Sequence, residues 1–374
     1  MAAILAAGHH PVEHMTPDDK PGGPRKGRGA TQSPAPRYMS VERDAFDDGW
    51  GSADEAPAVL HTTVTEERVK SVINRNQSPD LPFNLSINPY RGCEHGCAYC
   101  YARPAHAYVD LSPGLDFESR LFAKPDAAAV LRGELAKRGY VCEPIAVGAN
   151  TDAYQPVERK LGITRAILEV LTECEHPFTI VTKSALVERD LDLIAPAAAK
   201  GLTQVYVSVT TLERELARRL EPRAAAPQRR IETLRRLAAA GVPTGVMFAP
   251  VIPALNDHEL ERVLEHAAQA GVRYAGYIML RLPREVNPVF KDWLASHYPL
   301  RYERVMHRIQ DIRGGEESDS QFGRRMRGEG VFAELVAQRF ARACRALGLN
   351  KSRHQLESRH FRPPRAASPQ LDLF

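Results

Sequence analysis

Three cysteines fall within eight residues, in the run Arg91-Gly92-Cys93-Glu94-His95-Gly96-Cys97-Ala98-Tyr99-Cys100-Tyr101. The spacing is C-x3-C-x2-C. Thiolates are soft ligands that select zinc or iron–sulfur clusters. A structural zinc site takes four protein ligands in a closed tetrahedron, and the fourth nearby cysteine is missing. His95 or His106 could complete a Cys3His zinc site. Alternatively, three cysteines could hold three irons of a [4Fe–4S] cluster and leave the fourth iron open. The other cysteines, Cys142, Cys174 and Cys344, are scattered. Six cysteines in 374 residues do not make a disulfide framework, so they read as a reduced, cytoplasmic chain with one metal-binding loop.

Around that loop the sequence alternates strand-like apolar runs with amphipathic stretches. The runs are Pro144–Gly148, Phe178–Thr182, Gln204–Val209, Thr244–Pro250 and Tyr274–Leu280. Between them, Ile163–Cys174 places Ile167, Leu168 and Leu171 on one helical face. Ala226–Ala240 has Pro227 in its first turn, carries Ile231, Leu234 and Leu237, and stops at Gly241. Strands alternating with helices at this spacing predict parallel βαβ units. Five such strands plus one before Cys93 make six. The fold class expected is therefore α/β, a partial (β/α)6 TIM-like barrel, with its site at the C-terminal ends of the strands.

The flanks differ in character. Residues 1–58 combine Pro, Gly, Ser and charge without an apolar face, and are expected to be a disordered N-terminal segment that includes Arg25, Lys26 and Arg28. The barrel is placed at 59–290, a mostly helical C-terminal extension at 291–362 with Val331–Leu347 as its clearest helix, and a flexible tail at 363–374. No run approaches 18 apolar residues, and the opening residues lack the basic start of a leader, so neither a membrane span nor a secreted chain is expected. From Arg301 onward the chain carries 15 Lys and Arg against 9 Asp and Glu, a net +6. That suggests a polyanionic partner such as nucleic acid, or else an Arg-rich solvated surface.

The cysteine motif, placed after the first strand of a partial barrel, resembles the signature of the radical SAM superfamily. The wider stretch NPYRGCEHGCAYCYARP is similar to the spore photoproduct lyase-like, DNA repair photolyase-related branch. Neighbouring motifs extend the resemblance over about 82–290: GANTDAYQPVE (148–158), VTKS (181–184), SVTT (208–211), EPRAAAP (221–227) and APVIPALND (249–257). The resemblance implies that Cys93, Cys97 and Cys100 hold a [4Fe–4S] cluster whose open iron binds S-adenosylmethionine. It also implies reductive cleavage to a 5′-deoxyadenosyl radical, and an electron donor such as flavodoxin or ferredoxin. It places Lys183 at the cofactor carboxylate and Ser208 and Thr210 as hydroxyls toward the cofactor. Tyr99 would lie on the adenine, Asn150, Thr151 and Asp152 at the same mouth, and Tyr101 near substrate, with Tyr101 and Asp152 the catalytic candidates. One departure stands out. Spore photoproduct lyases carry a hydrogen-donating cysteine near the end of the second strand, and here that tip reads Ala146-Val147-Gly148-Ala149-Asn150. Cys142, Cys174 and Cys344 read as inert buried thiols.

The last residues, Gln370, Leu371, Asp372, Leu373 and Phe374, look like the short peptide that docks repair and replication proteins onto the DNA polymerase sliding clamp. The apolar side chains supply anchors and Gln370 an amide; the bland alternative is an apolar end that folds back on the domain. Three functions follow. The first is a radical SAM enzyme acting on nucleic acid. The second is one modifying a protein, a tRNA or a small metabolite. The third is a cluster- or zinc-stabilised clamp accessory factor without catalysis.

Overall fold

The computed structural model describes residues 24–38, 60–352 and 355–364. Its strands are β1 (Thr63–Glu66), β2 (Ile73–Arg75), β3 (Leu85–Ile87), β4 (Tyr90–Arg91), β5 (Arg120–Ala123), β6 (Ile145–Val147), β7 (Phe178–Thr182), β8 (Thr203–Ser208), β9 (Thr244–Val251) and β10 (Tyr274–Met279). Its helices are α1 (Leu115–Ser119), α2 (Ala127–Leu135), α3 (Glu158–Leu161), α4 (Ile163–Glu173), α5 (Leu191–Ala199), α6 (Arg214–Leu220), α7 (Pro227–Ala239), α8 (Leu260–Gln269), α9 (Val286–His297), α10 (Tyr302–Asp311) and α11 (Gly330–Leu347).

The larger sheet runs β10-β9-β8-β7-β6-β3-β2. Its six members from β3 to β10 pair in parallel. They are the six strands expected, in an open, partial (β/α)6 barrel. Parallel strands covered on both faces must be apolar nearly throughout. Ile145, Val147, Ile180, Val205, Val207, Val246 and Phe248 are fully buried accordingly. The covering helices bury the stripes read from the sequence: Ile167, Leu168 and Leu171 on α4, and Ile231, Leu234 and Leu237 on α7. Two features lie outside the expectation. β2 adds antiparallel to β3 at one edge, and β1, β5 and β4 form a small second sheet beneath the cysteine loop. Strands of two to four residues carry too few alternations to show as a pattern.

Two boundaries move. The division at 290 falls inside α9. Phe290 and Trp293 of that helix are fully buried in one apolar cluster with Cys97, Ala98 and Tyr99, so the helical extension and the barrel share a core around the site. α11 lies along α8, with Arg339 on the Glu261 carboxylate at 2.8 and 2.6 Å. At the other end, residues 24–38 have a defined place, contrary to the expected disorder of 1–58. Arg28 is buried and donates to the carbonyls of Glu118 and Leu60, both at 2.7 Å. What fixes this stretch is a guanidinium and backbone N–H groups, which hydropathy does not register. Residues 1–23 and 39–58 of that segment lie outside the described residues, as do Gln370, Leu371, Asp372, Leu373 and Phe374 of the tail. Among the described residues no helix is long and apolar enough to cross a membrane.

Candidate active site

The cysteine loop leaves β4 at the mouth of the barrel and folds without regular secondary structure. Cys93 and Cys97 are buried and Cys100 is half-buried. Cys93 N donates to Phe117 O at 2.9 Å and Ala98 N to Leu220 O at 3.1 Å, tying the loop to α1 and to the end of α6. Gly96 sits at φ +65°, and a Cβ there would come within 2.7 Å of Glu118 Oε2. Gly29 is as constrained, since its Cβ would overlap Gly96 O at 1.7 Å. Arg103 and Glu118 lock this corner as a fully buried ion pair. Arg103 also donates from Nε and Nη2 to Cys97 O at 3.0 and 2.8 Å, and from Nη1 to Pro113 O and Gly114 O. Glu118 accepts from Gly29 N at 2.9 Å and Ala30 N at 2.8 Å.

The loop after β6 holds the opposite side. Thr151 Oγ1 donates to Tyr90 O at 2.8 Å. The Gln155 amide donates to Gly92 O at 3.1 Å and accepts from Glu94 N at 2.9 Å. His95 Nδ1 lies 3.3 Å from Asp152 Oδ2. Asp152 further accepts from Lys183 N and Thr182 Oγ1, both at 2.7 Å, and from Tyr154 N at 2.9 Å. Burial would raise this carboxyl, but the His95 ring and these donors hold it down at about 2. Both its oxygens are thus occupied by the protein. The structure places Asp152 as an anchor of His95 and of the Lys183 backbone. The loop after β8 contributes from a third side. Arg223 pairs with the buried Glu94 at 3.0 Å, and Glu221 forms a buried pair with Arg230 at 2.5 Å. The same Glu221 accepts from the Tyr99 and Thr210 hydroxyls. Arg230 and Lys183 outweigh burial and depress the Glu221 carboxyl to about 2.

Burial dominates the thiols. It raises Cys93 well above the ordinary range, Cys97 to about 12, and Cys100 in the same direction. A charge on Cys97 or Cys100 raises Cys93 further. Burial outweighs the Lys183 ammonium beside Cys97 and Cys100, and a bound metal would displace the thiol protons. Among the described residues a closed Cys3His zinc site is not preformed. Sulfurs around a zinc at about 2.3 Å stand about 3.8 Å apart. Among the described residues, the three thiols form no group, with or without a histidine, whose ligand atoms all lie within 4.8 Å. His95 faces Asp152 instead, and His106 Nε2 is paired with Arg120 O at 2.9 Å. A larger inorganic unit, each sulfur on its own iron, fits this donor set.

The remaining candidates line the mouth. Among the described residues, Lys183 makes no hydrogen bond through Nζ and no ion pair. It lies 5.8 Å from the Tyr99 ring centroid, and the nearby Cys97 and Glu221 raise it against the opposing effect of burial. Ser208 is buried at the end of β8. Thr210 is fully buried, with its hydroxyl turned to Glu221 and Ala249 O. Tyr101 is 48% exposed, donates to Ala149 O, and has the Arg281 guanidinium 5.8 Å from its ring centroid. Asn150 is exposed, its N–H held by Asn88 Oδ1 at 2.8 Å.

Comparison with known proteins agrees with this geometry. Residues 87–267 match the Radical SAM superfamily profile. An uncharacterised protein of Mycobacterium tuberculosis is 38% identical over 259 residues, covering 68% of this chain and 76% of the relative. The chain belongs to the radical SAM superfamily. An uncharacterised protein of Methanocaldococcus jannaschii is 28% identical over 241 residues, covering 64% of this chain and 86% of its own. Spore photoproduct lyase has the same fold. One structure of it, complexed with dinucleoside spore photoproduct, superposes with TM-score 0.52 at 15% identity, over 76% of this chain and 80% of that one.

As a radical SAM enzyme the chain uses an iron–sulfur cluster and S-adenosylmethionine. The cysteines outside the loop stand apart from this site. Cys142 precedes β6, at the end of the strand away from Gly148. Cys174 closes α4, and Cys344 lies on α11 against Asn350 at 3.7 Å. Burial raises Cys142 and Cys344 to about 11. Sequence reasoning missed Arg103, Glu118, Gln155, Glu221 and Arg230. Arg103, Gln155 and Glu221 lay inside the motifs that carry the resemblance, and the signal of the last two was a polar residue in the segment that follows a barrel strand's end.

Proposed function

We propose that this radical SAM enzyme holds a [4Fe–4S] cluster on Cys93, Cys97 and Cys100 and acts on nucleic acid. When bound and reduced, the cluster supplies the electron that splits S-adenosylmethionine into methionine and a 5′-deoxyadenosyl radical. The protein's own residues bind and orient. Lys183, whose Nζ makes no hydrogen bond or ion pair among the described residues, offers its ammonium to the cofactor carboxylate. Ser208 and the N–H groups at Asn150 and Thr151 edge the same mouth. Tyr99, fixed by Glu221, presents its ring beside Lys183, and Tyr101 borders the substrate. An electron donor such as flavodoxin or ferredoxin would serve the buried loop.

What supports the substrate class is a set of tyrosines paired with arginines. Tyr38 and Tyr108 are 55% and 63% exposed, with ring centroids 5.4 Å apart, and Arg284 bonds Tyr108. Tyr101 and Arg281 continue it. Aromatic faces interleaved with arginines suit unstacked bases and a phosphate backbone. Spore photoproduct lyase, which shares the fold, binds dinucleoside spore photoproduct, and that ligand points in the same direction. The net +6 of the C-terminal region supports the reading less than its count suggests. Arg308, Arg324, Arg325, Arg339, Arg359 and Arg362 each face a carboxylate. Those internal pairs favour the protein and small-metabolite forms of the second reading, a radical SAM enzyme for a protein, a tRNA or a small metabolite, over any polyanionic substrate.

The test is anaerobic. The protein is reconstituted with iron and sulfide, reduced with dithionite, given S-adenosylmethionine, and assayed for 5′-deoxyadenosine with and without ultraviolet-irradiated single-stranded DNA. Product that depends on the three cysteines and rises with DNA is expected. Product indifferent to DNA would move the substrate to the second reading, and none from loaded protein under either condition would refute radical initiation.

A further inference from the structure

Among the described residues the buried arginines are paired or satisfied, whereas the half-buried Arg281 is not. Arg103 faces Glu118, Arg230 faces Glu221, and Arg313 donates to Leu280 O at 2.6 Å and Arg324 O at 3.3 Å. Arg281 has neither a carboxylate nor a carbonyl. Its Nη1 reaches the Met326 sulfur at 3.5 Å, a weak acceptor, and its buried Nε has no partner. The nearest carboxylate, Asp80, is already taken by Arg325 Nε at 2.5 Å and Gly323 N at 2.7 Å. Arg325 and Arg313 add positive charge on the same side. A half-buried cation with an orphaned donor and cationic neighbours is costly to the folded state, and such a cost marks a site awaiting an anion.

The position is informative. Arg281 follows β10, the last parallel strand, and its guanidinium stands over Tyr101, which follows the cysteine loop after the first. These are the two ends of an open barrel, so the pair spans its unclosed side. The loop carrying Met326 and Arg325 covers that side through Met279 N to Met326 O at 2.9 Å and Arg325 to Asp80. An anionic group entering there would meet the Arg281 fork on one side and the Tyr101 ring on the other.

We propose that Arg281 receives a phosphodiester oxygen of the substrate strand and so places the neighbouring nucleotide over Tyr101. This deepens the nucleic-acid reading above and rests on it. The planar fork matches a phosphate with two parallel hydrogen bonds, which a lysine does not.

The experiment measures binding of fluorescent oligothymidylate to the reconstituted protein across a salt series, for wild type, Arg281→Gln and Arg281→Lys. Arg281→Gln is expected to weaken binding about 10-fold and to lower the slope of log K against log salt by about 0.7, one phosphate on a single strand. Arg281→Lys should keep the slope and lose part of the affinity. If Arg281→Gln fails to fold, the lysine variant decides, and an unchanged affinity there overturns the assignment. Equal slopes and affinities in wild type and Arg281→Gln overturn the role of Arg281 while nucleic-acid binding stands. No binding by wild type overturns both.

Discussion

Glu118→Gln isolates what keeps the cysteine loop in place. Glu118 and Arg103 are both fully buried and face one another. Removing one charge of a buried pair costs about 3–5 kcal/mol, because the other is left uncompensated. Glutamine keeps one acceptor oxygen, so one of the Gly29 and Ala30 N–H groups would remain satisfied. Arg103 would still reach Cys97 O, Pro113 O and Gly114 O, which limits the loss to the charge itself. Urea unfolding of the metal-free, reduced chain, followed by the fluorescence of buried Trp293, reads this directly. With a slope of about 3 kcal/mol per molar, the midpoint should fall by about 1–1.7 M. A cycle with Arg103→Met should show strong coupling, each single variant costing nearly as much as the double. Because Arg103 also holds the Cys97 carbonyl, iron retained after desalting should drop in parallel. A midpoint within about 0.3 M of wild type, with full iron, would refute the view that this pair organises the loop.

Three further outcomes follow from the same geometry. Cys97→Ala should abolish the brown colour and the bound iron after reconstitution, and a coloured Cys97→Ala protein would remove it from the ligand set. Asp152 lies at about 2, below its ordinary value. It therefore contributes stability above the unfolded pKa of about 4, roughly 2 kcal/mol, and loses it as pH falls through about 2. The stability gap between wild type and Asp152→Asn should thus narrow from pH about 4 downward, and a gap that widens on acidification would reverse the sign. Phe374→Ala should lose capture by the purified sliding clamp if the terminal peptide docks there, and undiminished capture would discard the peptide.

The barrel was readable because its strands are buried on both faces, which forces runs such as PIAVG, FTIVT and QVYVSV that few other environments produce. The cysteines were readable because ligand spacing is fixed by the metal, not by the fold. Arg103, Glu118 and Arg28 were not. An isolated charge in sequence reads as solvated surface. Nothing local announces that Arg28 will meet the Glu118 carbonyl 90 residues later, or that Arg103 will be sealed by a carboxylate 15 residues on. Lys183 could be singled out from sequence because it directly follows a strand end. Asp152 was located on the same grounds, but its partners were invisible: Thr182 and the Lys183 N–H come from a neighbouring strand whose register only the folded sheet sets.

The polar locks have a common cause. A buried loop without helix or sheet leaves its N–H and C=O groups unpaired unless side chains reach them, and each orphan costs about 1–3 kcal/mol. Here the partners come from separate elements: Thr151 and Gln155 after β6, Leu220 at the end of α6, and Arg103 beside the loop itself. Because these elements are fixed to adjacent parallel strands, the loop inherits the rigidity of the sheet, and three thiols that gain nothing from one another can be held in place before any metal arrives. The arrangement also separates two kinds of variant. Changes at Gln155, Arg103 or Glu118 act through the loop and should lower metal retention and stability together. Changes at Lys183 or Ser208, which hold no part of the loop through their side chains, should leave the metal bound and act on the cofactor alone.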